Sequence, residues 1–182
     1  MIVEQVREFV ESECKKPTSH YGYNACIHLR DVNGYAKILA NELGANLEIV
    51  ELASWLHDIG SIICGRENHH ITGAEIAEKK LKELGYDSKK IELVKQCILS
   101  HRGSQKIKRE SVEAQILADA DGMSHFKDVF RLYMVATKYE NLSHEEAMKS
   151  VLGKLNRTYA KLSPEARKII EKKYLAALEL LK

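Results

Sequence analysis

His57 and Asp58 stand side by side where the apolar run Leu52-Ala-Ser-Trp-Leu56 gives way to Ile59 and Gly60. Burying an imidazole and a carboxylate there is costly unless something pairs them. His28 lies upstream, and Asp119 and Asp121 flank Ala120 far downstream. The order His…His-Asp…Asp gathers, from three separate segments, side chains that hold a divalent metal. Imidazole and carboxylate ligands without thiolate favour Mn, Fe, Co, Ni or Mg over a closed structural zinc site. Such ligands leave positions open for water and a substrate oxygen. An open site suits hydrolysis, because the metal lowers the pKa of its water and neutralises phosphoryl charge. The pattern points to an enzyme.

Adjacent residues on a regular helix point about 100° apart, so His57 and Asp58 converge best where a helix ends, and Gly60 is consistent with such an ending. Ile49, Val50, Leu52, Ala53 and Leu56 leave this helix little polar face, and a helix apolar nearly all round is normally buried. Asn46 can cap it. His28 falls in a helical pattern of Ile27, Val32, Tyr35, Ile38, Leu39 and Leu43, with Gly44 as its stop. A first helix carries Val3, Val6, Phe9 and Val10 up to Pro17. The stretch from Gly60 to Asn68 reads as a loop. Thr72 and Glu75 have capping-box spacing for the next helix, Ser88 opens another that ends at His101, and Ser111 opens one running into Asp119 and Asp121. Three helical stretches follow: one with Phe126, Phe130, Tyr133 and Met134, one behind the capping box Ser143/Glu146, and one behind Ser163-Pro164. The aromatic series reads as core.

The bulk properties agree with one all-α domain. The chain has 182 residues, of which 45% are hydrophobic and 30% charged, with only 2 prolines and 10 glycines. These values argue against disorder and against a turn-rich β fold. With 28 basic and 26 acidic residues interspersed, the net charge of +2 carries no strong nucleic-acid signal. No uninterrupted apolar run is longer than Leu132 to Ala136, so none spans a membrane. Met1-Ile-Val-Glu-Gln-Val-Arg7 lacks a signal-peptide pattern. The four cysteines, Cys14, Cys26, Cys64 and Cys97, are widely spaced, as expected of reduced thiols in a cytoplasmic protein. Cys26, close to His28, reads as a small buried hydrophobe.

The residues quoted so far carry a resemblance. His28, Ala53-Ser-Trp-Leu-His-Asp-Ile-Gly60, His69 with Gly73-Ala-Glu-Ile76, His101 and Ala120-Asp121-Gly-Met123 resemble the motifs of the HD-domain phosphohydrolase superfamily. The resemblance covers residues 28 to about 123. It implies a helical bundle of the HD-domain type over residues 1–182, with a motif-bearing core at about 24–125 and C-terminal helices over 126–182 completing it. It also implies hydrolysis of phosphoester or phosphoanhydride bonds, usually in nucleotides.

Carried over residue by residue, the resemblance makes His28, His57, Asp58 and a downstream aspartate the metal ligands, with one ion or two. Asp119 and Asp121 are two apart and cannot share a helix face. Ala120-Asp121-Gly122-Met123 matches the family pattern, which assigns Asp121 as ligand and leaves Asp119 to cap or to orient a histidine. His69, preferred to His70 by its spacing to Gly73, and His101 stand where relatives place either ligands for a second metal or phosphate contacts. With Asp58 they are the expected catalytic residues. Arg66 and Arg102 are the expected substrate contacts, ahead of Lys106, Lys108 and Arg109. Glu67 and Asp58 are candidate proton acceptors. His20, His125 and His144 read as surface or packing residues. The chain lacks the double-histidine-glutamate and glycine-tyrosine-proline sequence of the cyclic-dinucleotide branch, and Asp31 stands where relatives often carry arginine after the first histidine. The expected activity is metal-dependent hydrolysis of a small phosphorylated metabolite, a nucleotide first. A di-iron oxygenase and a non-catalytic nucleotide-sensing module are the alternatives. An oligomer stays open.

Overall fold

A computed structural model describes residues 1–102 and 108–181. Every regular element among them is helical: α1 (Ile2–Lys15), α2 (Tyr23–Leu43), α3 (Leu47–Leu56), α4 (Ile59–Cys64), α5 (His69–Glu83), α6 (Ser88–Ser100), α7 (Val112–Ser124), α8 (Val129–Lys138), α9 (His144–Lys161) and α10 (Pro164–Leu180). They fall into two compact units, Met1–Ala120 and Asp121–Lys182. No helix among the described residues is long and apolar enough to cross a membrane.

In the first unit α3 is the centre. Ile49, Val50 and Leu52 to Leu56 are all buried, and α1, α2 and α6 pack around it while α4 and α6 flank α5. Leu29 and Leu39 of α2, Ile62 of α4, Leu81 of α5 and Ile98 of α6 are fully buried in the same core. Each such side chain contributes about 1.5–3 kcal/mol on leaving water. The start of α3 is held by Asn46, whose side chain accepts from the Ile49 N–H, and α2 stops at Gly44 in the left-handed conformation (φ 66°). Both features follow the sequence reading. All four cysteines are free thiols, three of them buried. Burial raises the Cys97 thiol pKa to about 12, so it is an inert hydrophobe.

Four local expectations are corrected. The Gly60–Asn68 stretch is not one loop, because α4 occupies its first half. Gly60 does not end a helix but lies buried inside α4. The α5 helix starts at His69 rather than at Thr72: Asn68 takes the left-handed conformation (φ 49°), which asparagine tolerates, and its carbonyl accepts from Ile71 and Thr72. The cap of α6 is Asp87, accepting from Lys89 and Lys90, with Ser88 as the first helical residue.

In the second unit α9 packs against α8 and α10. The Ser143/Glu146 capping box is present, and Ser163 caps α10 with Pro164 in its first turn. The aromatic series divides. Phe126 is buried and nearly perpendicular to the rings of Tyr159 and Tyr174, whereas Phe130 is 68% exposed and stacks on Tyr133. Phe130 is therefore not core, which corrects the reading of the series as a whole.

Candidate metal centre

Four segments of the first unit deliver their side chains to one place. Because α3 ends at Leu56, His57 and Asp58 escape the 100° divergence of a continuous helix: His57 keeps helical dihedrals (φ −58°, ψ −35°), and Asp58 departs from them (φ −107°, ψ 11°) before α4 begins. His28 comes from α2, His69 opens α5, and His101 follows the last residue of α6.

The distances sort around the two oxygens of Asp58. Oδ2 lies 3.6 Å from His28 Nε2 and 3.7 Å from His57 Nε2, and those two nitrogens are 3.3 Å apart. Oδ1 lies 3.3 Å from His69 Nε2 and 3.9 Å from His101 Nε2. Two donor groups result, His28–His57–Asp58 and Asp58–His69–His101, and Asp58 belongs to both. His57 and His101, with ring centroids 5.1 Å apart, join them into one cluster. His57 is wholly buried, whereas the side chains of His28 and Asp58 are 20% and 26% exposed, so the cluster is reached mainly through these two.

Three of the histidines have their tautomers set the same way. Nδ1 of His57 donates to the Ser54 carbonyl at 2.8 Å, that of His69 to Arg66 at 2.9 Å, and that of His101 to Ile98 at 2.5 Å. A carbonyl only accepts, so the neutral ring carries its proton on Nδ1 and turns an Nε2 lone pair inward. For His57 and His101 the acceptor is one of the last carbonyls of a helix, which lack an intrahelical partner. Such outer hydrogen bonds orient metal-bound histidines and raise their basicity. Converging lone pairs around a shared carboxylate repel one another unless a cation lies among them. The residues fit a divalent metal.

A buried polar pair fixes α2 against α3: Asn33 Nδ2 donates to Ser54 Oγ at 2.7 Å. The approach of α4 to α5 depends on glycine. A Cβ on Gly60 would collide with the His69 carbonyl oxygen and lie 2.7 Å from the Gly73 nitrogen, closer than real Cβ contacts come. Neither role was legible in the sequence. The motif spelled out Gly60 and Gly73, but only packing shows that they face each other.

Each of the other expected residues has its own surroundings. Asp119, on α7, is 2% exposed, stands outside both donor groups and accepts from Gln115 at 3.1 Å. Asp121 begins the second unit, whereas both donor groups are built within the first. The Arg66 side chain is exposed while its carbonyl holds His69, and Glu67 is exposed beside it. Arg102 donates to His70 Nδ1 at 3.4 Å, and burial and then the Arg102 charge lower the His70 pKa. Lys108 is exposed, Arg109 donates to Gln115, and Lys106 lies outside the described residues. Cys26 is fully buried and belongs to neither donor group. His20 is exposed, and His144 meets the Tyr133 hydroxyl at 2.9 Å.

The sequence pattern of the HD domain matches residues 26–125. Among curated proteins the chain is 31% identical over 140 residues to ribonuclease Y of Symbiobacterium thermophilum, covering 77% of this chain and 26% of the relative. It is 37% identical over 106 residues to ribonuclease Y of Streptococcus agalactiae, covering 57% and 18%. The chain thus spans about a quarter or less of the length of these relatives. Among solved structures, an HD-superfamily hydrolase of Bacillus thuringiensis superposes with a TM-score of 0.76 at 17% identity, over 99% of this chain and 93% of that one. YpgQ of Bacillus subtilis, solved in complex with ADP, superposes with a TM-score of 0.74 at 20% identity, over 98% and 93%. At these identities the structural likeness speaks for the fold.

Proposed function

The chain belongs to the HD domain family, and from that premise we propose that it hydrolyses a phosphoester or phosphoanhydride bond in a small phosphorylated metabolite, a nucleotide first, with a divalent metal as cofactor. Family membership supports a metal-dependent phosphohydrolase in general. The nucleotide is our reading, and the ADP held by the YpgQ relative supports it. The observation that carries the proposal is the single carboxylate shared by two histidine pairs.

In this reading His28, His57 and Asp58 hold one ion, and Asp121 completes its ligands, as the Ala120-Asp121-Gly122-Met123 motif suggests. Asp119 is the alternative ligand. His69 and His101 present lone pairs rather than N–H groups beside Asp58 Oδ1, which favours a second ion over a direct phosphate contact. Mn, Co, Fe, Ni and Mg all suit this nitrogen and oxygen donor set. A bound divalent ion supplies Lewis-acid charge for phosphoryl oxygens and a lowered pKa for its water. Asp58 is then shared by both histidine pairs and offers its carboxylate as proton acceptor, while Arg66 and Arg102 bind substrate phosphate.

A second reading follows from the relatives named ribonuclease Y: the bond is a phosphodiester in RNA. Both readings are tested together on a panel of nucleotides, phosphomonoesters and an RNA oligonucleotide with Mn²⁺, Co²⁺ or Mg²⁺, beside the Asp58→Ala variant. Metal-dependent product release that disappears in the variant supports the hydrolase and names its bond. Silence across the panel, from protein shown to hold metal, overturns it in favour of the di-iron oxygenase or the sensing module.

A further inference from the structure

His69 and His101 are each followed by a polar residue that neither donor group uses, and these two followers meet. Arg102 Nη1 donates to His70 Nδ1 at 3.4 Å. The direction is unambiguous, because a guanidinium has donors only. His70 is 5% exposed, so its ring is held by the surrounding structure, whereas Arg102 is half-buried and reaches solvent. The His70 ring stands edge-on to the His69 ring with centroids 6.0 Å apart, and His69 lies 5.4 Å from His101. The guanidinium is therefore anchored one ring away from the Asp58–His69–His101 group. A bond at one nitrogen orients the planar fork without using the pair of donors that a bidentate phosphate contact needs.

We propose that His70 is a positioning residue: it aims the Arg102 guanidinium at phosphate oxygens held beside the Asp58–His69–His101 group. The proposal rests on the phosphohydrolase reading above and adds a specificity element to it. A fixed guanidinium at the edge of the cluster would add positive charge, and a pair of N–H donors, for an approaching phosphate. A long flexible arginine loses rotamer freedom on binding, and the buried ring removes part of that loss in advance.

The test uses the metal-loaded protein and inorganic phosphate as probe, measured by isothermal titration calorimetry, with metal content and thermal unfolding recorded for each variant. His70→Leu removes the acceptor, His70→Gln keeps one, and His70→Met is a second replacement of different shape should leucine fail to fold. The expected result for the leucine or methionine variant is unchanged metal content with phosphate affinity lower by about tenfold. His70→Gln should recover to within about threefold. Arg102→Met should lose at least as much as His70→Leu, and the double variant no more than Arg102→Met alone, because the two act as one unit. Where turnover is measurable, the loss should fall on KM rather than kcat. Wild-type affinity in a folded acceptor-free variant, additive losses in the double variant, or loss of metal on replacing His70 would each overturn the positioning role alone. Failure of the loaded wild-type protein to bind phosphate would sink the underlying reading together with this one.

Discussion

Asp58 is the residue on which both donor groups depend, since one of its oxygens faces His28 and His57 and the other faces His69 and His101. Asp58→Ala should therefore weaken metal binding in both groups by more than about 100-fold, beyond the 10–100-fold typical of losing an outer hydrogen-bond partner. His28→Ala should weaken only one. Metal stoichiometry by mass spectrometry of the purified variants separates these outcomes; equal retention in both would deny the sharing. Gly60 matters for the opposite reason, the absence of a side chain. In Gly60→Ala the new methyl group meets the His69 carbonyl and the Gly73 nitrogen, backbone atoms that cannot rotate away. Overpacking typically costs about 1–3 kcal/mol, and this site belongs at the upper end. Urea unfolding should show the loss, accompanied by weaker metal binding as His69 is pushed from Asp58.

Helix ends are what this site is made from. The α3 break turns His57 and Asp58 toward each other, and terminal carbonyls of α3 and α6 orient His57 and His101. The cap that starts α3 thus supports the helix that delivers His57. Asn46→Ala should cost about 1 kcal/mol, read as a lower urea midpoint with the slope unchanged. The α5 and α6 helices, which position His69 and His101, are tied by Glu78, whose carboxylate accepts from Lys82 at 2.7 Å and from Lys95 at 2.6 Å. These lysines lower the Glu78 pKa from 4.5 to about 2. A depressed carboxylate contributes stability that is present above its unfolded value and lost as pH falls through its folded value. Glu78→Gln should therefore lower the unfolding midpoint at pH 7, and the difference from the parent should shrink between pH 4.5 and about 2. Because both ion pairs are only partly buried, added salt should shrink it too. A difference that does not vary with pH would rule out the ion pair as its cause.

At the scale of the folded units, the first is carried by α3, which is buried without interruption from Leu52 to Leu56. Leu56 and Leu52 are fully buried in the first unit, and truncating either to alanine should cost about 2–5 kcal/mol. Leu56 also sits directly before His57, so its loss should lower metal occupancy as well as the denaturation midpoint, whereas Leu39→Ala, on α2 away from the metal groups, should lower only stability. The second unit has its own packing, with Gly122 close to Thr158 and Leu162.

Much of this was legible in the chain because it depends on local chemistry. The apolar pattern around Leu52 to Leu56 reads as a buried helix. The Asn46, Ser143 and Ser163 caps are short-range hydrogen bonds between neighbours in sequence. The order His28, His57-Asp58 and Asp119 or Asp121 pointed to metal chemistry by residue type, whereas His69 and His101 entered only through the family resemblance. What tertiary structure decided is what distant residues do to one another. That Asp58 splits its two oxygens between two histidine pairs, that Gly60 is a contact surface for α5 rather than a helix stop, and that His70 meets Arg102 all depend on helices far apart in sequence packing at particular distances. Periodicity states which face of a helix is buried but not which neighbour covers it. Residue types and local spacing therefore determined the elements and the ligand chemistry, while packing between elements decided how the ligands divide.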